Sequence, residues 1–144
     1  MNEQMEEHRW IAVRDCQGFV WALYAEYEGD SLASFEGNLS GLNLNEIPGA
    51  STCETASLRR QDGPKSDFWV IPVTRATAED LKKRLSVAGA LGKHGSVVHT
   101  QLATARQLIF SACDNFHDEC VRVSMSVPIP LLEKLLSNGV LKHI

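Results

Sequence analysis

The chain has 144 residues, of which 44% are hydrophobic and 22% charged, and its formal net charge is −4. A chain of this length fits one domain with its own core, and this composition excludes disordered and fibrous classes. Affinity for a nucleic-acid backbone depends on Lys and Arg, so the acidic balance argues against a nucleic-acid partner and favours a basic protein.

The N-terminus and the cysteine content set the expected compartment. Residues 1–8 are acidic and polar, and they lack the basic-then-apolar order of a signal peptide. No run of about eighteen apolar residues is present, so we expect no membrane partner. The sequence predicts one domain over 1–144 with a flexible acidic N-terminus and a cytoplasmic location. Its four cysteines are then expected as reduced thiols, with a disulfide as the alternative.

The N-terminal third carries strand-like composition. Residues 10–13 and 19–27 are rich in aromatic and β-branched side chains and are separated by turn residues, which predicts a β-hairpin. Residues 31–35 add a third strand to this meander. Residues 39–65 contain many turn and breaker residues and are predicted as a surface loop, with residues 53–60 as an alternative strand.

The middle and the C-terminus carry two helix signals. Residues 68–73 form a short apolar strand, and a helix is predicted over 77–90 with Thr77 as its N-cap. A second helix is predicted over 129–137, because prolines suit its first turn and Asn138-Gly139 is a natural stop.

The clearest pattern lies in residues 107–113 and 120–127, where apolar and polar residues alternate. With Cys113 opposite Cys120, apolar residues meet across the two strands, and a one-residue slip would send each set to the wrong face. The predicted pairs are Ala112 with Val121, Phe110 with Val123, and Leu108 with Met125. Residues 97–102 add a third antiparallel strand.

These elements predict an α+β fold. Antiparallel β-meanders of about six to seven strands form one layer, and the helices at 77–90 and 129–137 cover it as a single layer pair. No linker divides the chain.

One face of the C-terminal strands is predicted to be polar. The expected register sets His99 beside Ser111 and Ser111 beside Arg122, with Val97, Cys113 and Cys120 in the next row and Asp114 just beyond. This grouping indicates a polar site, although antiparallel sheets commonly leave one face in water.

The segment from Cys113 to Cys120 holds two thiols, an imidazole and three carboxylates within eight residues. Cys113, His117 and Cys120 are ligand types that zinc prefers, so zinc is the alternative to having no cofactor. A cysteine-dependent enzyme is a further alternative, since an imidazole can hold a thiol as its thiolate. No oxyanion-hole signal accompanies the thiols, and we assign no catalytic residue.

An acidic edge completes the candidate sites. Tyr27 lies among four carboxylates that could meet a basic partner, or simply be solvated, and these are Glu26, Glu28, Asp30 and Glu36. The sequence therefore predicts a small cytoplasmic protein-binding protein, such as an inhibitor or an immunity protein that neutralises a partner enzyme. The alternatives are the metal or cysteine enzyme and a homo-oligomeric structural subunit, for example a homodimer.

Overall fold

The structure is a computed structural model that describes residues 7–63 and 65–144. Its strands are β1 (His8–Trp10), β2 (Ala12–Val13), β3 (Ser31–Gly37), β4 (Asp67–Val73), β5 (Val97–Thr104), β6 (Leu108–Ala112), β7 (Val121–Ser124) and β8 (Leu141–His143). Its helices are α1 (Cys16–Tyr27), α2 (Arg75–Ser86) and α3 (Ile129–Ser137).

Within the described residues, six strands form one antiparallel sheet in the order β1-β7-β6-β5-β3-β4, and β2 pairs with β8 in a small second sheet. The predicted α+β class is therefore confirmed. All three helices contribute to one hydrophobic core with the same face of the large sheet. At its centre the ring of Phe19 from α1 meets the ring of Phe110 from β6 edge-on, with centroids 5.3 Å apart.

Helix α1 replaces the predicted N-terminal hairpin. The Asp15 carboxylate accepts a hydrogen bond from the Gly18 N–H at 2.9 Å, which caps the helix. The helix is so rich in aromatic and branched residues that its composition resembles a strand. Burial against the sheet overrides those local preferences, because helix propensity differences amount to only a few tenths of a kcal/mol per residue.

The other two helices agree better with expectation. Helix α3 occupies the predicted residues 129–137. Helix α2 begins earlier than predicted, because Thr74 rather than Thr77 is its N-cap. Thr74 Oγ1 accepts from the Thr77 N–H, while Thr77 Oγ1 accepts from the Thr74 N–H, so two otherwise unpaired backbone donors are satisfied. A 3-10 turn at Val87–Gly89 ends the predicted helical range.

The predicted register of β6 and β7 is confirmed at two pairs and wrong at the third. Phe110 faces Val123 and Ala112 faces Val121. Among the described residues, Leu108 has no partner on the β7 side, because β7 ends at Ser124 and does not reach Met125.

Residues 39–65 form an ordered surface layer with two 3-10 turns, Ser40–Leu42 and Leu44–Glu46. Ser51 forms an isolated bridge with Val70 of β4. Residues 53–60 are not a strand, contrary to the alternative prediction. They belong to a stretch, residues 54–62, that crosses the sheet face opposite the helices and is called the covering segment below.

The N-terminal prediction falls largely outside the described residues, since residues 1–6 are not described. Glu7 and His8 belong to the sheet edge: the Glu7 carbonyl accepts from the Met125 N–H, and His8 begins β1. No helix in the described part of the chain is long and apolar enough to cross a bilayer.

Candidate functional site

A row of polar residues crosses the sheet on the face away from the helices. Ser34 of β3 pairs with Gln101 of β5, Gln101 with Ser111 of β6, and Ser111 with Arg122 of β7. The predicted neighbourhood of Ser111 and Arg122 is therefore confirmed. The predicted pairing of His99 with Ser111 is wrong, because Gln101 occupies that position.

A β-bulge contributes to this difference in register. Leu102 pairs with Phe110 and Ala103 with Leu108, so Ile109 has no partner across β5. An extra residue of this kind shifts the pairing beyond the bulge. The predicted pairing of Val97 with Cys113 is also wrong. Thr100 pairs with Ala112, so in this register Val97 lies beyond the position that faces Cys113.

The centre of the polar face is buried rather than open to water, whereas Arg122 is partly exposed and Asp114 is exposed. His99 is 6% exposed, and Gln101 and Ser111 are also buried. The covering segment lies over part of this face: Leu58 packs in a small apolar cluster on residues of β4, β5 and β6. The segment is closed by the Glu54 carboxylate, which accepts from the Arg60 N–H at 2.7 Å.

Glu36 fixes the covering segment to the sheet. Its two carboxylate oxygens accept from the Gln61 N–H at 2.7 Å and the Asp62 N–H at 2.9 Å. The residue is only 1% exposed, so the prediction that Glu36 belongs to an acidic surface edge is wrong. A buried carboxylate requires hydrogen-bond partners, and these two amides provide them.

His99 stands beside Glu36 in the sheet and links the covering segment to residues 113–120. Its Nδ1 accepts from the Asp114 N–H at 3.2 Å, so the neutral ring carries its proton on Nε2. Nε2 lies 3.0 Å from Asp62 Oδ2, but the two atoms do not have hydrogen-bond geometry. No hydrogen bond joins His99 to Ser111 within the described residues, so this site has no Ser-His pair.

The two cysteines that bound residues 113–120, called the cysteine segment, form a disulfide, Cys113 to Cys120. The expectation of four reduced thiols is corrected for this pair, while Cys16 and Cys53 are free. The opposed positions follow from the strand ladder, in which the Cys113 N–H donates to the Cys120 carbonyl at 3.2 Å. Strand residues that face each other lie near the separation that a disulfide requires.

Asp114, rather than the predicted His117, lies beside the two sulfurs. His117 is exposed, and its Nδ1 accepts from the Glu119 N–H at 3.2 Å. The Asp114 carboxylate instead approaches the sulfurs, with Oδ2 3.9 Å from Cys120 Sγ. Ligand atoms of Cys113, Asp114 and Cys120 lie within 4.8 Å of one another, and within the described residues His117 does not join this group.

The turn after Cys113 is left-handed over three residues. Asp114, Asn115 and Phe116 have φ of 48°, 57° and 64°. Non-glycine residues adopt this region at a cost, and bulky ones such as Phe are rare there. Asn115 stabilises the turn, because its Nδ2 lies within 3.0 Å of the carbonyls of Gly92, Gly95 and Val97. Phe116 is buried in the core.

The remaining acidic candidates do lie together. Glu26, Tyr27, Glu28 and Asp30 line one wall of a surface cleft of about 530 Å³, and Thr104, Ala105 and Arg106 line the other. Burial and the nearby Glu26 charge raise the pKa of the half-buried Tyr27 phenol, so the phenol stays protonated.

Three participants were missed from the sequence. Asp62 lies in a turn, where the sequence does not indicate which way a carboxylate points. Gln101 takes the position beside Ser111 that the predicted register gave to His99. Arg106 lies between the predicted strands 97–102 and 107–113, where no pattern marks it as part of a site. For Asn115 the residue type is the signal that could have indicated its role, because asparagine tolerates the left-handed conformation better than most residues.

No protein-family model matches the chain, and searches among curated proteins and solved structures found no match either.

Proposed function

We propose that this protein binds a basic partner protein through the cleft at Glu26, Tyr27, Glu28 and Asp30, as an inhibitor or immunity-type protein would. The observation that carries the proposal is the unbalanced negative charge of this wall. None of its three carboxylates forms an ion pair with any described residue. Arg106 is the one cation among the described residues that line the cleft.

The position of these carboxylates is unfavourable for the isolated protein. They lie in the last turn of α1 and just after it, and the last turn contains no basic residue. The C-terminal end of a helix carries partial negative charge, so acidic groups there repel it. A cationic partner would relieve this repulsion and would also be attracted to the cleft at a distance.

Tyr27 gives the cleft an amphipathic centre. A half-buried tyrosine offers a rigid ring for apolar contact and a hydroxyl for hydrogen bonding, and such residues are enriched in protein interfaces. The surrounding carboxylates then supply orientation and association rate rather than most of the affinity.

The proposal is tested with a variant that removes only the cleft charges, E26Q/E28Q/D30N. The matched control, E79Q/E119Q/E133Q, removes three exposed carboxylates elsewhere. We expect the parent and the control to retain the same basic protein from a cell extract, in a one-to-one complex by sedimentation, and the cleft variant to lose it. Equal retention by both variants would contradict the proposal.

Self-association is a second candidate, favoured by the exposed edge at β1. Trp10 is 54% exposed and Met125 48% exposed, and β1 is the terminal strand of the sheet in the described residues. Terminal strands offer unpaired backbone groups to another strand. Sedimentation of the protein alone distinguishes the two functions: a dimer that Trp10→Ala dissociates favours the edge, and a monomer favours the cleft.

A further inference from the structure

The cysteine segment contains a cluster of potential metal ligands that the proposed binding cleft does not use. It comprises the sulfurs of Cys113 and Cys120 and the carboxylate of Asp114, all within 4.8 Å of one another. We propose that the segment is a redox-gated metal site, in which the reduced thiols and the Asp114 carboxylate bind a thiophilic divalent cation such as zinc.

The distances suit a tetrahedral ion once the disulfide is reduced. Zinc binds thiolate sulfur at about 2.3 Å, so neighbouring ligands around it stand roughly 3.8 Å apart. Asp114 Oδ2 already lies 3.9 Å from Cys120 Sγ. The two cysteine Cα atoms are 5.3 Å apart, and side-chain rotation alone can separate the sulfurs without moving the strands.

The backbone that carries the ligands is held by contacts other than the disulfide. The Cys113 N–H to Cys120 carbonyl bond joins the strand ends. Asn115 donates from its N–H to the Val98 carbonyl at 2.8 Å and from its side-chain amide to the 92–97 turn. These contacts keep the ligands near one another in the reduced state, which lowers the ordering cost of binding an ion.

Charge also favours a cation at this position. Asp114 is exposed and forms no ion pair with any described residue, whereas the neighbouring Asp118 is paired with Lys142 at 3.2 Å. Two thiolates beside Asp114 would create an uncompensated group of three negative charges. The left-handed turn is the kind of strained backbone that persists at functional sites, and it brings the Asp114 carboxylate to the sulfurs.

The disulfide form converts to the metal-bound form in two steps, reduction and then metal binding. An external dithiol reduces the disulfide and becomes a disulfide itself, leaving thiols at Cys113 and Cys120. Binding of one divalent cation then releases both thiol protons to solvent, so that two sulfur–metal bonds form. Both cysteines are partly exposed, which leaves the remaining coordination position open to water or another ligand.

The test uses cobalt(II) as a spectroscopic probe, in the C16S/C53S background so that no other thiol contributes. The reduced protein is expected to bind one cobalt ion with a sulfur-to-cobalt charge-transfer band, and zinc is expected to remove that band. The oxidised protein is expected to show no band. Absence of the band in the reduced protein, or the same band in the oxidised protein, overturns the proposal.

Single variants separate the ligand set from its neighbours. D114N retains both cysteines and so can form the disulfide before reduction. Loss of a group that only supports a metal ligand typically weakens binding about tenfold or more, and we expect loss of the Asp114 ligand to weaken cobalt binding at least as much. The matched controls E119Q and H117A alter exposed groups of the same segment and should leave binding unchanged. Loss of binding in H117A but not D114N overturns the proposal. So does unfolding of the reduced chain in the presence of zinc, which circular dichroism detects.

Discussion

On one face of the sheet three helices bury aromatic and aliphatic side chains, whereas on the other a covering segment buries ionisable and amide groups. The first face is stabilised by removal of apolar surface from water, so it tolerates hydrophobic substitutions that conserve volume. The second depends on individual hydrogen bonds such as those of Glu36, each of which leaves a buried group unsatisfied when broken. The two faces should therefore respond differently to substitution.

The largest effect is expected on the helix-covered face. Phe110→Ala removes a fully buried ring that contacts Phe19, and it should lower the free energy of unfolding by about 3–5 kcal/mol. Urea titration measures the loss. A loss of only a few tenths of a kcal/mol in the free energy of unfolding would show that this ring is not part of a continuous core.

Glu36→Ala should break the second face locally. It removes both acceptors of the Gln61 and Asp62 amides, and we expect a loss of about 2–3 kcal/mol together with faster hydrogen exchange at those two amides. Glu133→Ala, on the exposed surface of α3, is the control and should change neither quantity. Unchanged exchange at residues 61 and 62 would mean that Glu36 does not hold the covering segment.

A smaller effect of opposite sign is expected at Tyr24. Its hydroxyl is buried in the helix-covered core and has no hydrogen-bond partner in the described residues. Tyr24→Phe removes this unsatisfied group and should leave stability unchanged or raise it by up to about 1 kcal/mol in thermal unfolding.

Tyr24 should also make the folded protein less stable at alkaline pH, and Tyr24→Phe should lack this effect. Burial raises the pKa of the Tyr24 phenol well above its ordinary value. Above the ordinary pKa of about 10 the unfolded chain loses the proton while the folded chain keeps it, so stability falls as pH rises from there. The parent should lose stability more steeply than Tyr24→Phe in this range, and equal slopes would contradict the assignment.

The smallest effect sharpens the contrast between stability and binding. Glu28→Gln removes a negative charge next to the C-terminal end of α1 and should stabilise the protein by about 0.3–1 kcal/mol at low salt. The gain should vanish at high salt, because screening weakens the repulsion. Destabilisation by this variant would show that the carboxylate serves the fold rather than a partner.

Sequence patterns predict the structure correctly where one physical requirement dominates. The alternation in β6 and β7 predicted two correct pairs, because any slip would expose apolar side chains. The prolines and Asn138-Gly139 set the bounds of α3. Helix α1 was missed because apolar residues occur all around it, so neither helical nor strand periodicity stands out.

The candidate site was less predictable, because it depends on contacts distant in sequence. The burial of Glu36 and His99 requires the covering segment, and local pattern does not reveal where that segment lies. The spacing of Cys113 and Cys120 correctly predicted opposed thiols, but the bond between them depends on redox conditions that residues alone do not specify.

The pairing of the chain's two ends has a consequence for folding kinetics. β1 pairs with β7, and β2 with β8, so residues 8–13 meet partners more than one hundred positions away. Contacts that close such long loops slow folding, because chain entropy is lost before the contacts form. During synthesis β1 has no partner until β7 has been made, and β2 has none until β8 has been made, so a chain that stalls before Leu141 leaves β2 without its pairing strand.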